Sequence, residues 1–599
     1  MKKHSKIIIN LTATTFAVFL AGCAGLDLNK LAKEQQLKTN PSPLELHGDS
    51  VKFDMSAIVP VKTLKKNKIY TVNVDYKAFE NRVNAGKIVF NGNDFPQAAT
   101  ETPTMSGKFG FAYADNLKKG IVVVVGEMAD LNKPGKKTPE ITVTSGIITT
   151  PLLVQPVYPT AMADHGYDNR EELQPTVVNF YFQKRIAKLD AKETKGSRAK
   201  FFEKFIATKY VTRTVNIVGT HSPEGFEAYN EKLSEQRALT IEKYYRETMK
   251  KFNYGKVADS ITFVVKGKVK DWNDFKMQLD SLKKLKPEQK QEILSIVDGE
   301  EGTFHQKELK LQKLKSYRMI EKEIYPKLRN AQTEVLTVKP KKSDAQIFIM
   351  AKNMVSGTPA KGDTLNAKEL LYAATLTPSP EEQEAILTAS SKRDDSYEAF
   401  NNLGALYLEN AKKQPNRATQ QTIVDQALTK LEIAKNKKEG AEVYLNMASA
   451  KLMKGDKMGA KDALASAAKF QPNAEVNKGL KGIQGVLDIK AGTYDAAIQN
   501  LLSGGSDAQI TFDRGLALLL KKDNQSAKSA IDEAISKDAN QAVFHYTAAI
   551  AAARLADIDG VNTNLKNAFK LDDSMKRKAL DDLEFLNVKE NEKFKDALK

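Results

Sequence analysis

The stretch AEVYLNMASAKLMKGDKMGAKDALASAAKFQPNA, Ala441 to Ala474, decides the fold of the C-terminal part of the chain. Its 34 residues space small and large side chains as a pair of packed helices requires. Small residues are needed where the two helices cross closely, and large ones fill the gaps between them. The stretch therefore predicts one unit of a helical repeat. The positions that carry the pattern are Tyr444, Ala448, Ala460, Ala467 and Pro472.

This spacing resembles the tetratricopeptide repeat (TPR), and neighbouring stretches repeat it with less fidelity. The resemblance implies an all-α solenoid over residues 397–599, whose concave face takes an extended peptide or a partner's helix. A helical lead-in is expected over 340–396, with helices that begin at the capping residues Asn366 and Ser379. The other matching positions are Leu403, Gly404, Tyr407, Ala427 and Ala434; Gly485, Gly492, Tyr494 and Ala497; Gly515, Ala527 and Ala534; and Ala549, Leu565 and Ala568.

The N-terminus has the layout of a secretory signal peptide over residues 1–22, with lysines, an apolar run and then small residues. The sequence LAGC, which ends at Cys23, resembles the lipobox of bacterial lipoproteins and implies cleavage before Cys23 and acylation of that residue. Cys23 is the only cysteine, so the mature chain can form no internal disulfide and no cysteine-based metal site. A polar, proline-bearing linker is expected over 23–43.

Residues 44–157 contain short β-rich runs separated by turn residues, and no helical pattern interrupts them. Apolar and polar side chains alternate at Tyr70, Val72, Val74 and Tyr76, so one face of this strand is expected to be buried. The segment therefore predicts a β-sandwich with a structural or docking role.

From Pro175 onward the pattern changes to strand, helix, strand and helix, which predicts an α/β domain over 158–339. Within it, GTHSPEGFEAYNEKLSEQRA, Gly219 to Ala238, resembles the signature of the OmpA-like domain, a module that binds peptidoglycan non-covalently in Gram-negative bacteria. The matching positions are Gly219, Gly225, Asn230, Leu233, Ser234, Arg237 and Ala238.

The OmpA-like family binds the diaminopimelate of a cell-wall peptide with an Asp in the loop and an Arg on the helix. Arg237 matches the family Arg, and its guanidinium can pair with a carboxylate. The loop Asp is replaced by Ser222, with Glu224 nearby as a substitute carboxylate, and Asn230 completes the candidate ligand residues. In the alternative interpretation Glu224 is solvated and Arg237 braces the loop. His221 is expected to be an exposed imidazole rather than a metal ligand.

A mostly helical insertion of about 270–325 follows the third strand of this domain. Together with the Asp-Trp before it and the IYPKLR helix end after it, the insertion resembles OmpA-like envelope proteins of Bacteroidota. Trp272, the only tryptophan, is expected to anchor the packing of the inserted helices. The enlarged insertion and the missing Asp both favour protein docking over plain peptidoglycan binding.

The formal net charge is +18, and removal of the three lysines in residues 1–22 lowers it to +15. A basic secreted lipoprotein favours anionic lipid or cell-wall polymers over nucleic acid, although lysines interspersed with acids can also simply solvate helix faces. The P-loop, G-x-S-x-G, H-E-x-x-H and dinucleotide fingerprints are all missing from the sequence. We therefore expect no enzyme activity, no cofactor and no metal.

These patterns predict a multidomain lipoprotein with a β-sandwich, an α/β OmpA-like domain and a TPR solenoid. The lack of an acidic cluster after Cys23, which surface-exported Bacteroidota lipoproteins often carry, favours the periplasmic face of the outer membrane. The expected function is that of a scaffold for an envelope complex of the secretion, gliding or outer-membrane protein assembly type, with protein partners held by the repeats. The alternative is a tether that links the outer membrane to peptidoglycan.

Overall fold

The computed structural model describes residues 27–130, 133–268, 272–358 and 364–599. These residues form two compact units. The first unit contains the chain up to Gly166 and again from Ile347 to Lys599, and the second runs from Tyr167 to Gln346. The predicted signal peptide and Cys23 lie outside the described residues. Among the described residues, no helix has both the length and the apolar character that crossing a bilayer requires.

The N-terminal part of the first unit is β-rich, with two mostly antiparallel sheets. The strands are β1 (Lys38–Asn40), β2 (Leu44–His47), β3 (Ser50–Ile58), β4 (Lys68–Ala78), β5 (Asn81–Asn91), β6 (Thr104–Ala112), β7 (Ile121–Asp130), β8 (Lys136–Lys137), β9 (Ile141–Ser145) and β10 (Ile147–Ile148). In one sheet β3 pairs with β1, β2 and β6, and β10 joins β2; in the other, β5, β4 and β7 are neighbours, with β8 and β9 on β7. Tyr70, Val72, Val74 and Tyr76 are all fully buried, which confirms the predicted alternation along β4.

Part of the stretch predicted as a polar linker, 23–43, packs against these sheets. Helix α1 (Leu28–Glu34) buries Leu31 in the sandwich core, and β1 pairs with β3. The side chain of Gln35 accepts a hydrogen bond of 2.8 Å from the Tyr70 hydroxyl. The structure differs from the prediction because leucines scattered among the polar residues find apolar surface on the sheet.

The second unit is a four-stranded mixed sheet with helices, in the order β11-β14-β12-β13. Only β12 and β13 run parallel. Its elements are β11 (Leu173–Tyr181), α2 (Ala191–Lys195), α3 (Ser197–Ala207), β12 (Thr212–Gly219), α4 (Glu227–Lys251), β13 (Thr262–Gly267), α5 (Asn273–Ser281), α6 (Pro287–Asp298), α7 (Phe304–Leu311), α8 (Tyr317–Met319), a π-helical turn (Ile320–Ile324), α9 (Tyr325–Leu328) and β14 (Asn330–Val338). The strand and helix alternation is as predicted, whereas membership of the OmpA-like family stays a prediction.

The inserted helices α5 to α9 have a hydrophobic core of their own. The ring of Trp272 lies 5.2 Å from that of Phe275 and 4.5 Å from that of Phe304, measured between centroids. These contacts join the first and third helices of the insertion. The prediction that Trp272 anchors the inserted helices is thereby confirmed.

The C-terminal part of the first unit is a solenoid of helical pairs. Its helices are α10 (Asp344–Val355), α11 (Ala367–Ala373), α12 (Pro380–Arg393), α13 (Tyr397–Lys412), α14 (Arg417–Lys437), α15 (Ala441–Met453), α16 (Lys457–Ala467), α17 (Ala474–Ala491), α18 (Tyr494–Ser503), α19 (Ala508–Leu520), α20 (Asn524–Lys537), α21 (Ala542–Arg554), α22 (Ile558–Leu571), α23 (Ser574–Asp581) and α24 (Glu592–Ala597). Each of the five predicted repeats is one pair, from α13/α14 to α21/α22. The capping box of Asn366 with Glu369 and the N-cap of Ser379 are also present as predicted.

Glycines of the repeat pattern lie where the two helices of a pair cross closely. A Cβ atom at Gly485 would lie 2.5 Å from Cγ of Leu501 on the paired helix. We expect Gly485→Ala to destabilise the solenoid by about 1–3 kcal/mol through overpacking. Thermal unfolding followed by circular dichroism measures this. Lys461→Ala is the control, because Lys461 is exposed on α16 and alanine is well tolerated in a helix; an equal loss in both variants would contradict the packing explanation.

An ion pair with little solvent exposure lies where the sandwich meets the solenoid. Nε of Arg554 donates to the carboxylate of Glu584 at 2.9 Å, and the hydroxyl of Thr150 contacts the same carboxylate. At the periphery Lys119 pairs with Asp581 at 2.7 Å. The chain therefore leaves the sandwich at a fixed point on the C-terminal repeats.

Candidate functional site

A groove along the first helices of the solenoid pairs is occupied by a segment of the chain itself. After β10 the chain runs along the first helices of successive pairs, from α19 back to α11, opposite to the order of the repeats. Leu153, Val157 and Ala163 are buried, whereas Met162 is 51% exposed, and residues 154–165 form no helix or strand. The segment is therefore extended, with one side toward the groove. We call residues 153–165 the strap.

Buried asparagines of the solenoid bind the backbone of the strap. Asn446 accepts from the N–H of Ala161 at 2.8 Å and donates to its carbonyl, also at 2.8 Å. Asn402 binds the N–H and carbonyl of Ala163 in the same way, at 2.6 and 3.2 Å. Asn401 donates to the Ala161 carbonyl at 3.0 Å. Most of these bonds therefore involve main-chain atoms of the strap, and the Thr160 hydroxyl adds a side-chain contact to Glu409 on α13.

Two further bonds extend this contact toward the C-terminal repeats. The hydroxyl of Ser449 donates to the carbonyl of Pro159 at 2.5 Å, and the N–H of Gln155 donates to Oδ1 of Asp513 at 2.9 Å. Asp513 is fully buried, and its Oδ2 has no hydrogen-bond partner among the described residues. Burial raises the pKa of Asp513 well above its ordinary value, against the opposing effects of the Gln155 N–H and nearby Lys490.

The buried carboxyl group of Asp513 makes stability depend on pH. A carboxyl whose pKa is raised by folding contributes stability below its unfolded pKa, and this contribution is lost as the pH rises through the folded value. We expect Asp513→Asn to be more stable than the wild type at pH 8. The difference in the free energy of unfolding should be about 1.4 kcal/mol for each unit by which the pH exceeds the pKa of Asp513 in the unfolded chain, up to its pKa in the folded chain. The advantage should shrink as the pH falls toward 4.

Thermal unfolding between pH 4 and pH 8 measures this dependence. Asp462→Asn is the control, because Asp462 is exposed on α16 and its removal should change stability little at either pH. A constant difference between Asp513→Asn and the wild type across this range would contradict an ionisation effect.

The strap leaves part of the groove unfilled beside Val157. A cavity of about 370 Å³ lies there, partly lined by the glycines Gly479, Gly482 and Gly504 and by Ile510. A Cβ atom at Gly482 would lie 3.9 Å from Cγ2 of Val157 and 2.9 Å from the side chain of Ile510. These glycines therefore let the chain pack closely beside the strap, and the cavity next to it is lined also by the polar side chains of Lys412, Lys478 and Asp507.

Sequence reasoning missed the strap because it placed a domain boundary at 157/158, inside this segment. The strap could have been predicted from polar residues that lie on helix faces whose other residues are apolar and predict a buried core. Asn401, Asn446 and Asp513 are each fully buried in the first helix of a repeat. Buried polar side chains require partners. Asn446 donates to Asn401, but this bond does not use all the polar groups of the two amides, and the rest point to a partner outside the repeat pattern.

In the second unit, the predicted ligand residues meet around one loop, where each is bonded within the chain. Nε of Arg329 donates to the hydroxyl oxygen of Ser222 at 3.1 Å, and Nη2 donates to Oε1 of Glu224 at 2.9 Å. The side chains of Arg329 and Glu224 are only 9% and 10% exposed. Arg329 ends the IYPKLR stretch, and sequence reasoning did not assign it to the loop.

Arg237 and Asn230 brace the same loop through main-chain carbonyls. The amide of Asn230 donates to the carbonyls of Ser222 and Glu224, at 3.4 and 3.1 Å. Arg237 is 1% exposed, and burial with a neighbouring guanidinium lowers its pKa to about 10, so it stays cationic at neutral pH. Its guanidinium donates to the carbonyls of Gln183, Ile186 and Thr220, at 3.1, 3.1 and 2.7 Å. Ligand binding by these residues stays a prediction.

Helix α7 of the insertion lies against this loop. The ring of His221 packs edge-on to Phe304 at 6.0 Å, and the ring of Phe226 lies 5.5 Å from His305. His221 was predicted to be exposed; it is instead half-buried, and burial lowers its pKa. The difference arises because the inserted helix covers the loop. No group of three His, Cys, Asp or Glu side chains in the described part of the chain could hold a metal ion.

Neither a protein-family model nor a curated protein matches this chain. Solved structures resemble part of it. A chain of the APC/C hetero-tetramer Cut9–Hcn1 is 14% identical, with a TM-score of 0.32 over 43% of this chain and 46% of that chain. The C-terminal part of a TPR repeat-containing protein from Cytophaga hutchinsonii is 16% identical, with a TM-score of 0.26 over 39% of this chain and 91% of that chain.

The TPR2AB domain–pHSP90 complex of yeast Sti1 is 13% identical, with a TM-score of 0.16 over 42% of this chain and 99% of that chain. The match spans less than half of the Cut9–Hcn1 chain. The assignment of the solenoid to TPR-like helical pairs therefore depends on its own five pairs and on the repeat spacing, rather than on these similarities.

Proposed function

We propose that this protein is a lipid-anchored scaffold on the periplasmic face of the outer membrane, which gathers the protein partners of an envelope complex. The observation that carries the proposal is the solenoid groove, where buried asparagines hold an extended polypeptide by its backbone. Binding a backbone is what a scaffold needs, and no catalytic step forms part of the proposal. The resemblance to Bacteroidota envelope proteins favours a complex of the secretion, gliding or outer-membrane protein assembly type.

Lipid at Cys23 would supply the membrane anchor. Growth with radiolabelled palmitate should label the wild-type chain and leave Cys23→Ala unlabelled, with the variant lost from the outer-membrane fraction. Gly25→Ala, two residues further on, is the matched control and should be labelled like the wild type. Equal labelling of Cys23→Ala, or its full retention in the outer membrane, would overturn this anchor.

The scaffold role is tested by purifying the tagged chain from detergent-solubilised membranes. A scaffold should bring defined proteins with it in a fixed ratio. The control mixes tagged cells with isotopically labelled untagged cells before lysis, so that partners acquired in the extract carry a mixture of labels. Recovery of the chain with no partner in fixed ratio would contradict the scaffold.

A peptidoglycan tether is the second candidate, favoured by the presence of Asn230 and Arg237 together at the loop of the second unit. The bonds of these side chains within the chain support bracing rather than ligand binding, so the tether takes second place. Arg237→Glu is unsuitable as a test, because it would bury a carboxylate where Arg237 is 1% exposed and would set it against main-chain carbonyls.

The tether is better tested by sedimenting the mature chain with isolated sacculi. The variant is Glu224→Gln, which must first be shown to be folded by the fluorescence of Trp272, because it removes the charge paired with Arg329. The matched control is Glu231→Gln, which is exposed on α4. A tether would carry the wild type and the control into the pellet and leave Glu224→Gln in solution. The scaffold proposal expects all three in the supernatant at physiological salt.

A further inference from the structure

We propose that the strap is a displaceable occupant of the solenoid groove, and that the partner segment that displaces it is extended and carries a large apolar side chain where the strap has Val157. The inference deepens the proposed scaffold function and rests on it. It assigns a class of partner to the groove and a mechanism that keeps the groove closed when that partner is absent.

Most polar contacts of the groove are available to any extended segment; the bond of the Thr160 hydroxyl to Glu409 is the exception. The asparagine bonds reach the N–H and carbonyl groups of Ala161 and Ala163, which every residue except proline can offer. The strap side chains at these two positions are methyl groups. A partner backbone in the same register can therefore replace every one of these bonds, provided its residues there are small.

The apolar contacts of the groove are incomplete with the strap in place. The cavity of about 370 Å³ next to Val157 and Pro159, with Ile510 in its lining, has the volume for a larger side chain than the valine that faces it. A phenylalanine at this position would bury apolar surface that the strap cannot. A partner with such a side chain should therefore bind the groove more tightly than the strap sequence does, which the hydrogen bonds to the backbone alone would not achieve.

The strap in turn has the advantage of being part of the same chain. It is joined to the sandwich at one end and to the second unit at the other, so it competes at an effective concentration of the order of millimolar. A free peptide with the strap's own sequence should therefore bind the wild-type chain poorly. A variant with a weakened strap should bind it well.

Fluorescence anisotropy with labelled peptides of residues 153–165 tests the proposal on the purified mature chain with Cys23→Ser. Ala163→Asp weakens the strap, because Ala163 is buried in the groove; Met162→Asp, one residue away and half exposed, is the matched control. We expect Ala163→Asp to bind the native peptide at least tenfold more tightly than the wild type or Met162→Asp. The peptide with Val157→Phe should bind at least fivefold more tightly than the native peptide.

Adding Asn402→Ala to Ala163→Asp should weaken this binding at least tenfold, since it removes two backbone bonds. Absence of binding to Ala163→Asp, or binding that is unaffected by Asn402→Ala, would overturn the proposal, as would equal affinity for the two peptides. If Ala163→Asp does not fold, hydrogen exchange on the wild-type chain tests whether the strap can be displaced. Excess Val157→Phe peptide should then speed exchange at the Ala161 and Ala163 amides, and no change would overturn displacement.

These measurements use no membrane and no cellular partner. If the peptide displaces the strap but no protein partner co-purifies in a fixed ratio, the proposed scaffold function is wrong and the groove is a peptide-binding site. Fixed-ratio partners without peptide exchange would keep the scaffold and place its binding surface outside the groove.

Discussion

Replacing Asn446 with alanine is expected to release the strap from the middle of the groove. The change leaves the Ala161 N–H and the Asn401 Oδ1, which now bond to Asn446 at 2.8 and 2.9 Å, without a partner in a buried site. The Ala161 carbonyl keeps its bond from Asn401. Two buried groups without partners cost about 2–4 kcal/mol together, so protection of the Ala161 amide against hydrogen exchange should fall by about a hundredfold.

The matched control for this experiment is Asn477→Ala, because Asn477 is exposed on α17 and should leave the strap protected. Strap amides should lose protection before those of α13 and α15, since the solenoid core does not depend on Asn446. Loss of protection across the whole solenoid to the same extent would mean that Asn446 supports the repeats themselves. Unchanged protection at Ala161 would mean that the strap is held by its apolar contacts alone.

The solenoid could be predicted from the sequence because its signal is local. The positions that allow two helices to cross, such as Gly485 and Ala460, repeat at nearly constant spacing, and each pair depends mainly on itself and its neighbours. The alternation along β4 is local in the same sense. Both predictions are confirmed in the positions of the helices and strands.

The strap could not be predicted as the occupant of the groove from local patterns, because its contacts are with helices far away in the sequence. Ala161 and Asn446 are 285 residues apart, and no local pattern around either residue indicates that the two are in contact. Extended segments such as the strap also lack a periodic pattern, since they form no ladder or turn of their own. Prolines at 156 and 159 favour the loop or linker interpretation, although the same residues suit an extended bound segment.

The loop of the second unit illustrates a related difficulty. Ser222, Glu224, Asn230 and Arg237, which the resemblance to the OmpA-like family singled out, lie around one loop. The resemblance gives no information on what these groups bind, because that depends on Arg329 and on the inserted helix α7. A side chain of the residue type that the family uses for ligand binding can thus have its hydrogen-bonding groups occupied by other residues of the same chain.

Disruption of the buried pair of Arg329 and Glu224 is expected to cost the second unit more than any surface change. Arg329→Met keeps most of the aliphatic stem but leaves the hydroxyl of Ser222 without its donor. The carboxylate of Glu224, about 10% exposed, keeps only the half-exposed Lys184, whose Nζ lies 3.7 Å from it. Breaking one partner of a buried ion pair costs about 3–5 kcal/mol. Urea unfolding followed by the fluorescence of Trp272, the only tryptophan, reports on this unit alone.

A double-mutant cycle separates the pair from its surroundings. Glu224→Gln in the Arg329→Met background should restore part of the loss, because it removes the charge left unpaired, so that the coupling between the two positions is about 2 kcal/mol or more. Arg318→Met, exposed in the insertion, is the control and should change the midpoint little. Additive losses would mean that Glu224 is not committed to Arg329, and its carboxylate would then be free to bind the ammonium group of a cell-wall peptide as the tether requires.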